Sequence, residues 1–152
     1  MKHLTMGLSL GLLGLLLTGC SPQEMSLGPA ESVPAASPPA NGTVTVYYFH
    51  RTLRCISCLT IEKMARDTLR ETYTQELAQG TIRWQPVDYW QDAALAKQFG
   101  VDSPTLVVAI TEAGRIASYR RLDDTWALKG SPGAFHDMLV VAVNQAVRKQ
   151  PA

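Results

Sequence analysis

Two cysteines three positions apart, Cys55 and Cys58, stand where a helical pattern begins, six residues after an apolar run from Val44 to Phe49. The run is rich in β-branched and aromatic residues and reads as a buried strand. A strand feeding a helix through a Cys-x-x-Cys sets both thiols at a helix N-terminus. There the unpaired N–H groups and the positive end of the helix dipole favour an anion, so the first sulfur is expected to ionise near neutral pH. Arg51 and Arg54 are expected to act in the same direction. The residues leave three chemistries open: thiol–disulfide exchange, a structural disulfide, or half of a metal site.

The N-terminal forty residues are of another kind. Lys2 and His3 precede a Leu/Gly-rich run from Met6 to Leu17, the charged and apolar regions of a secretory signal, too short to span a bilayer comfortably. The run ends in Leu17-Thr18-Gly19-Cys20, which resembles the lipobox of bacterial lipoproteins and implies lipid on Cys20 after removal of residues 1–19. That leaves Cys55 and Cys58 as the remaining thiols, in an exported domain that meets an oxidising compartment. Ser21 resembles the signal for onward transport to the outer membrane, given a Gram-negative host. Residues 20–42 are rich in Pro, Ser, Ala and Gly and carry no aromatic residue, so they read as a tether. The expected location is the cell envelope, lipid-anchored, on the periplasmic face of the outer membrane.

Residues 43–150 are then one globular domain. They carry 13 Lys/Arg against 11 Asp/Glu with no basic run, which gives no support to nucleic-acid binding. The pattern predicts a strand over Thr43–Phe49, a helix from Ile56 to about Tyr73, and a strand over Thr81–Val87 with Pro86 at its end. A short helix capped by Asp92 follows, then a strand over Thr105–Thr111 and an antiparallel strand over Ile116–Arg120. Leu122–Gly130 reads as a loop. Ser131 is expected to cap, and Pro132 to open, a last helix whose apolar face is Phe135, Met138, Leu139, Ala142, Val143 and Ala146. Trp84, Trp90 and Trp126 read as core or cover residues, with Trp126 a candidate for the rim of a partner groove. Asp123 and Asp124 are expected to solvate their loop, and His136 to lie on the surface.

The order β-α-β-α-β-β-α with Cys-x-x-Cys opening the first helix is the minimal thioredoxin arrangement, an α/β fold with a central mixed sheet and helices on both faces. Val101-Asp102-Ser103-Pro104-Thr105-Leu106 resembles the thioredoxin loop in which a cis-proline faces the cysteines. Val87-Asp88 and Leu95–Val101 are also similar to that superfamily. More narrowly, Tyr47-Tyr48-Phe49-His50, Arg54-Cys55 and Cys58 with Ile61-Glu62 are similar to exported thioredoxin-like proteins labelled as the ArsF-like subunit of a nitrophenyl-compound nitroreductase. No flavin site accompanies that label, and no cofactor is expected. The chain departs from cytosolic thioredoxins in four places. Arg54 replaces the tryptophan before the first cysteine, and Phe49 takes the place of the buried aspartate. Ile56-Ser57 lacks Gly and Pro, and the loop before Pro104 is one residue shorter.

The resemblance implies a thiol–disulfide oxidoreductase or electron relay. Cys55 would be the exposed nucleophile and Cys58 the resolving thiol, with Pro104 presenting the neighbouring backbone to a substrate chain. Arg54, Ser103 and His50 are the supporting candidates, although a lone His at a strand end is ordinarily a solvated or hydrogen-bonded residue. Partners would be envelope protein thiols or disulfides and a redox partner, met by a monomer. Two readings compete. One is a carrier of a soft ion such as Cu(I) on the two thiolates, with His50 the candidate third ligand, a closed zinc site being short of ligands. The other is a non-enzymatic interaction module with a permanent disulfide.

Overall fold

Alternation in the first strand decides the layering. In the computed structural model, which describes residues 42–150, strand β1 (Thr43–His50) turns Val44, Val46 and Tyr48 to one buried cluster and Tyr47 and Phe49 to another. A strand buried on both faces must be central, and β1 pairs on both sides. Its neighbours are β2 (Ile82–Asp88), parallel, and β3 (Thr105–Glu112), antiparallel. Strand β4 (Arg115–Leu122) pairs antiparallel with β3, giving the order β2-β1-β3-β4. Strand β3 repeats the alternation, with Leu106, Val108 and Ile110 on the side of Tyr48 and with Val107 and Ala109 on the side of Phe49.

Helix α1 (Ile56–Thr72) buries Cys58, Ile61, Ala65, Thr68 and Leu69, the three-and-four spacing of one helical face. Helix α4 (Pro132–Lys149) buries Phe135, Leu139, Ala142, Val143 and Ala146, and the two helices cover the first face of the sheet together. Helix α3 (Ala93–Gln98) covers the opposite face through Ala96, followed by Phe99 and Val101. The Asp92 carboxylate caps it by accepting from the Leu95 amide at 3.0 Å. This is the expected thioredoxin-like α/β fold.

Four local expectations change. A further helix, α2 (Thr74–Gln79), follows α1 directly, because Tyr73 leaves helical geometry and its hydroxyl anchors on Asn144 Oδ1 at 2.9 Å, in α4. Pro86 lies inside β2 opposite Tyr48, not at the strand's end, and is tolerated because β2 is an edge. The expected loop over 122–130 holds two 3-10 turns, Asp123–Thr125 and Ala127–Gly130. Ser131 makes no side-chain cap bond; Pro132 at the first helical position, with its preset φ, opens α4 instead. The expected signal peptide and Cys20, together with all of the tether before Gly42, lie outside the described residues.

Candidate functional site

The antiparallel register of β1 and β3 assembles the site. Phe49, near the end of β1, pairs with Thr105, the first residue of β3. The chain that leaves β1 toward the cysteines therefore runs beside the chain that enters β3 through Ser103 and Pro104. A third segment is tied to the same place. Thr125 Oγ1 donates to the Leu122 carbonyl at 2.5 Å and accepts from the Leu106 amide at 3.4 Å, which holds the Asp123–Thr125 turn against the start of β3. Between the three segments opens a cavity of about 530 Å³ lined by Arg51, Leu53, Cys55, Cys58, Ser103, Pro104, Thr105, Asp123 and Trp126. Its volume is that of an ordinary ligand cleft.

Cys55 is the N-cap of α1, extended at φ −86° and ψ 164°, and its sulfur accepts from the Cys58 amide at 3.3 Å. The two sulfurs stand 2.7 Å apart as free thiols, Cys55 exposed and Cys58 buried. A disulfide bond is about 2.05 Å long, so little motion separates the dithiol from the disulfide. The contact with the Cys58 thiol, and then the Cys58 amide N–H, hold Cys55 below the ordinary thiol range. Burial, and then the same contact, push Cys58 up. One sulfur is thus open and inclined to ionise, and the other is covered and inclined to keep its proton.

The two arginines differ: Arg51 attracts both sulfurs as the sequence implies, whereas Arg54 is paired elsewhere. The Arg54 guanidinium is bonded to the Glu62 carboxylate in α1, with both side chains largely covered, so its charge is neutralised by an acid and not by a sulfur. Arg51 does line the cavity. Its Nε donates to the Tyr89 hydroxyl at 2.8 Å, and its guanidinium lies over Trp90 at 5.5 Å. Trp90, expected as core or cover, is more than half exposed and serves as the platform for that cation. Beside it Thr52 donates to Asp88 Oδ2 at 2.5 Å, and the Tyr89 amide donates to the His50 carbonyl at 3.0 Å. The loop between β1 and the cysteines is clamped to the end of β2.

Of the other expected residues, Ser103 and Pro104 line the cavity with both sulfurs, and Trp126 rims it. The Ser103 hydroxyl donates to Asp102 Oδ1 at 3.0 Å. The peptide before Pro104 is trans, contrary to the cis-proline that the resemblance implies; trans is the ordinary preference of an X–Pro bond by about 0.5–1 kcal/mol. His50 does not line the cavity, and its Nδ1 lies 2.9 Å from the Arg51 carbonyl oxygen. Among the described residues no group of three or more His, Cys, Asp or Glu comes together.

Sequence reasoning passed over three features. The Tyr48 hydroxyl, buried under α1, donates to the Cys58 carbonyl at 2.9 Å. Leu53 and Ile56, on either side of Cys55, are 81% and 85% exposed, an apolar surface that lies off the buried stripe of α1. Asp123, read as solvating its loop, both lines the cavity and pairs with Arg121 at 2.8 Å.

No protein-family model and no curated protein sequence matches the chain. Among solved structures it is similar to a thioredoxin from Trypanosoma brucei brucei, at 18% identity and a TM-score of 0.42 over 69% of this chain and 79% of that one. Trxlp from Edwardsiella tarda EIB202 is 20% identical with a TM-score of 0.42, over 66% of this chain and 84% of its own. Thioredoxin-2, described as a component of malaria parasite protein secretion machinery, is 25% identical with a TM-score of 0.38, over 57% and 81%. Strand order, helices on both sheet faces and a free Cys55–Cys58 pair at the start of α1 give the described residues a thioredoxin-like α/β fold.

Proposed function

We propose that the domain carries out thiol–disulfide exchange, held to an envelope membrane by lipid on Cys20. The observation that carries the reading is the asymmetry of the pair, an exposed helix-capping Cys55 sulfur 2.7 Å from a buried Cys58 sulfur, both facing an open cavity. In the reducing direction the Cys55 thiolate attacks a partner disulfide. A Cys55–partner disulfide forms, and the distal partner sulfur leaves with the electron pair and takes up a proton. Cys58, deprotonated, then attacks Cys55, the Cys55–Cys58 disulfide forms, and the second partner sulfur leaves as thiolate. The oxidising direction is the same sequence reversed. The exposed Leu53 and Ile56 and the rim at Trp126 supply apolar contact for a protein partner.

The lipobox-like Leu17–Cys20 and the tether over 20–42 support an envelope location, with Ser21 favouring the outer membrane. The narrower resemblance to ArsF-like proteins agrees with an exported setting.

The test is trapping in the producing cell. Cys58→Ala should accumulate adducts that vanish on reduction, because nothing releases the first mixed disulfide, and Cys55→Ala should not. If neither variant traps partners and both lose Cu(I) binding about equally, the pair is a metal carrier and the exchange reading is wrong.

A further inference from the structure

We infer that Tyr48 is a positioning residue for the resolving step, its hydroxyl being the hydrogen-bond donor that holds Cys58 while that residue carries negative charge. The inference rests on the exchange reading and concerns its second step. Whichever way exchange runs, Cys58 is a thiolate at that step, as attacker in one direction and as leaving group in the other. A thiolate in a buried position needs a donor, because burial disfavours the charged form. Phe49, next to Tyr48 in β1, is an apolar ring packed on the opposite sheet face against Phe99 and offers no donor.

Tyr48 is placed for it. It is fully buried in the middle strand, its ring stacks with Trp84 at 6.3 Å between centroids, and its hydroxyl reaches the Cys58 carbonyl at 2.9 Å. That carbonyl belongs to the first turn of α1, so one phenol oxygen sits at the residue that must move charge. The hydroxyl has one proton, held by that carbonyl while Cys58 is a thiol; as Cys58 ionises the proton turns to the sulfur, the direction in which Tyr48 moves the Cys58 pKa against burial. Tyr48 itself is held well above the phenol range, first by its own burial and then by the two cysteines, so it keeps its proton and can only donate. It is therefore not the base. The Cys58 proton leaves through the cavity that its sulfur lines.

The other charged or titratable groups facing this spot are accounted for. Cys55 touches Cys58, Arg54 is paired with Glu62, and Arg51, bound to Tyr89, adds its attraction for both sulfurs and stays the same in every variant below. Asp123 lines the cavity, paired with Arg121, and the His50 ring centroid lies 6.0 Å from that of Tyr48.

The experiment is stopped-flow reaction of the reduced full-length protein with dithionitrobenzoate from pH 5 to 10. Attack by Cys55 releases one coloured thiolate, and attack by Cys58 on the mixed disulfide releases a second. Tyr48→Phe should leave the first phase unchanged. It should slow the second about tenfold at pH 7 and move its half-rise to higher pH, the size expected for a hydrogen bond to a charged acceptor. Tyr47→Phe, which removes a hydroxyl from the opposite face, should change neither phase. If Tyr48→Phe does not fold, 3-fluorotyrosine at position 48 keeps the ring and strengthens the donor, and should shift the second phase to lower pH. An unchanged pH profile of the second phase in Tyr48→Phe, or in the fluorinated protein, overturns the inference while leaving exchange intact. A wild-type protein that releases no thiolate removes the exchange reading, and the role of Tyr48 with it.

Discussion

Arg54 is bound to Glu62, eight residues on in α1, although it is the immediate neighbour of the Cys55 thiol it precedes. The pair is partly covered, and its contribution lies between the small value of an exposed ion pair and the larger cost of breaking a buried one. We expect Arg54→Gln to lower stability by about 1 kcal/mol in urea denaturation. The pH dependence of Cys55 alkylation should stay where it is. A rise of the Cys55 half-point on that substitution would mean that the guanidinium acts on the sulfur directly.

The two thiols should separate by pH. Alkylation follows the thiolate, so the Cys55 rate should rise with pH and level off below the pH at which a free thiol does, because the Cys58 thiol and amide stabilise its anion. Cys58, covered and pushed the other way, should still be gaining rate above that pH. Mass spectrometry after timed iodoacetamide pulses on reduced protein reads both. Equal, slow labelling at neutral pH would favour a structural disulfide.

Asp88 clamps the loop that delivers the cysteines. Its carboxylate accepts from Thr52, and that bond, followed by those from the Trp90 and Gln91 amides, holds its pKa below the usual carboxylate value. A depressed folded-state pKa gives stability that is present above the unfolded value and lost as pH falls through the folded one. Asp88→Asn should remove this contribution, making stability flatter with acidification. Amide exchange over residues 51–54 should quicken in that variant at neutral pH, whereas unchanged protection would show that the clamp does not hold the loop.

The β3–β4 turn carries a local conflict. Ala113 and Gly114 both have positive φ, 47° and 76°, as a two-residue hairpin turn requires, yet Ala113 bears a Cβ that disfavours that region. Ala113→Asn should raise stability by about 0.5–1 kcal/mol, since Asn tolerates the left-handed region better. A urea midpoint that does not move, with the same dependence on denaturant, would count against the assignment.

The central strands and the two long helices were legible because each carries a clean period. In β1 and β3 both faces are apolar, and in α1 and α4 one face is. Short elements were not, because tertiary bonds fix them: Tyr73 to Asn144 for the break before α2, and Thr125 to Leu106 for the turn beside the cavity. At the site, Cys55, Cys58, Pro104 and Trp126 could be read from motif and position, and they line one cavity. The partner of Arg54 could not, since Glu62 lies beyond the three- and four-residue spacings that pair side chains on a helix. Alternation puts Tyr48 under α1 but says nothing of which carbonyl its hydroxyl reaches. The trans peptide at Pro104 depends on the loop around it, which the resemblance described differently.

Pro86 has a consequence for crowding. It sits in β2, one of the two outer strands, opposite Tyr48. An outer strand offers a row of unpaired backbone groups on which another chain can lay a strand, and a proline interrupts that row because it has no N–H to give. The opposite border, β4, is studded with Arg115, Arg120 and Arg121, like charges that a second copy would have to bring together. Both margins of the sheet are thus closed to self-templating, so a dense population of these domains can keep its reactive sulfurs open without its sheets fusing edge to edge.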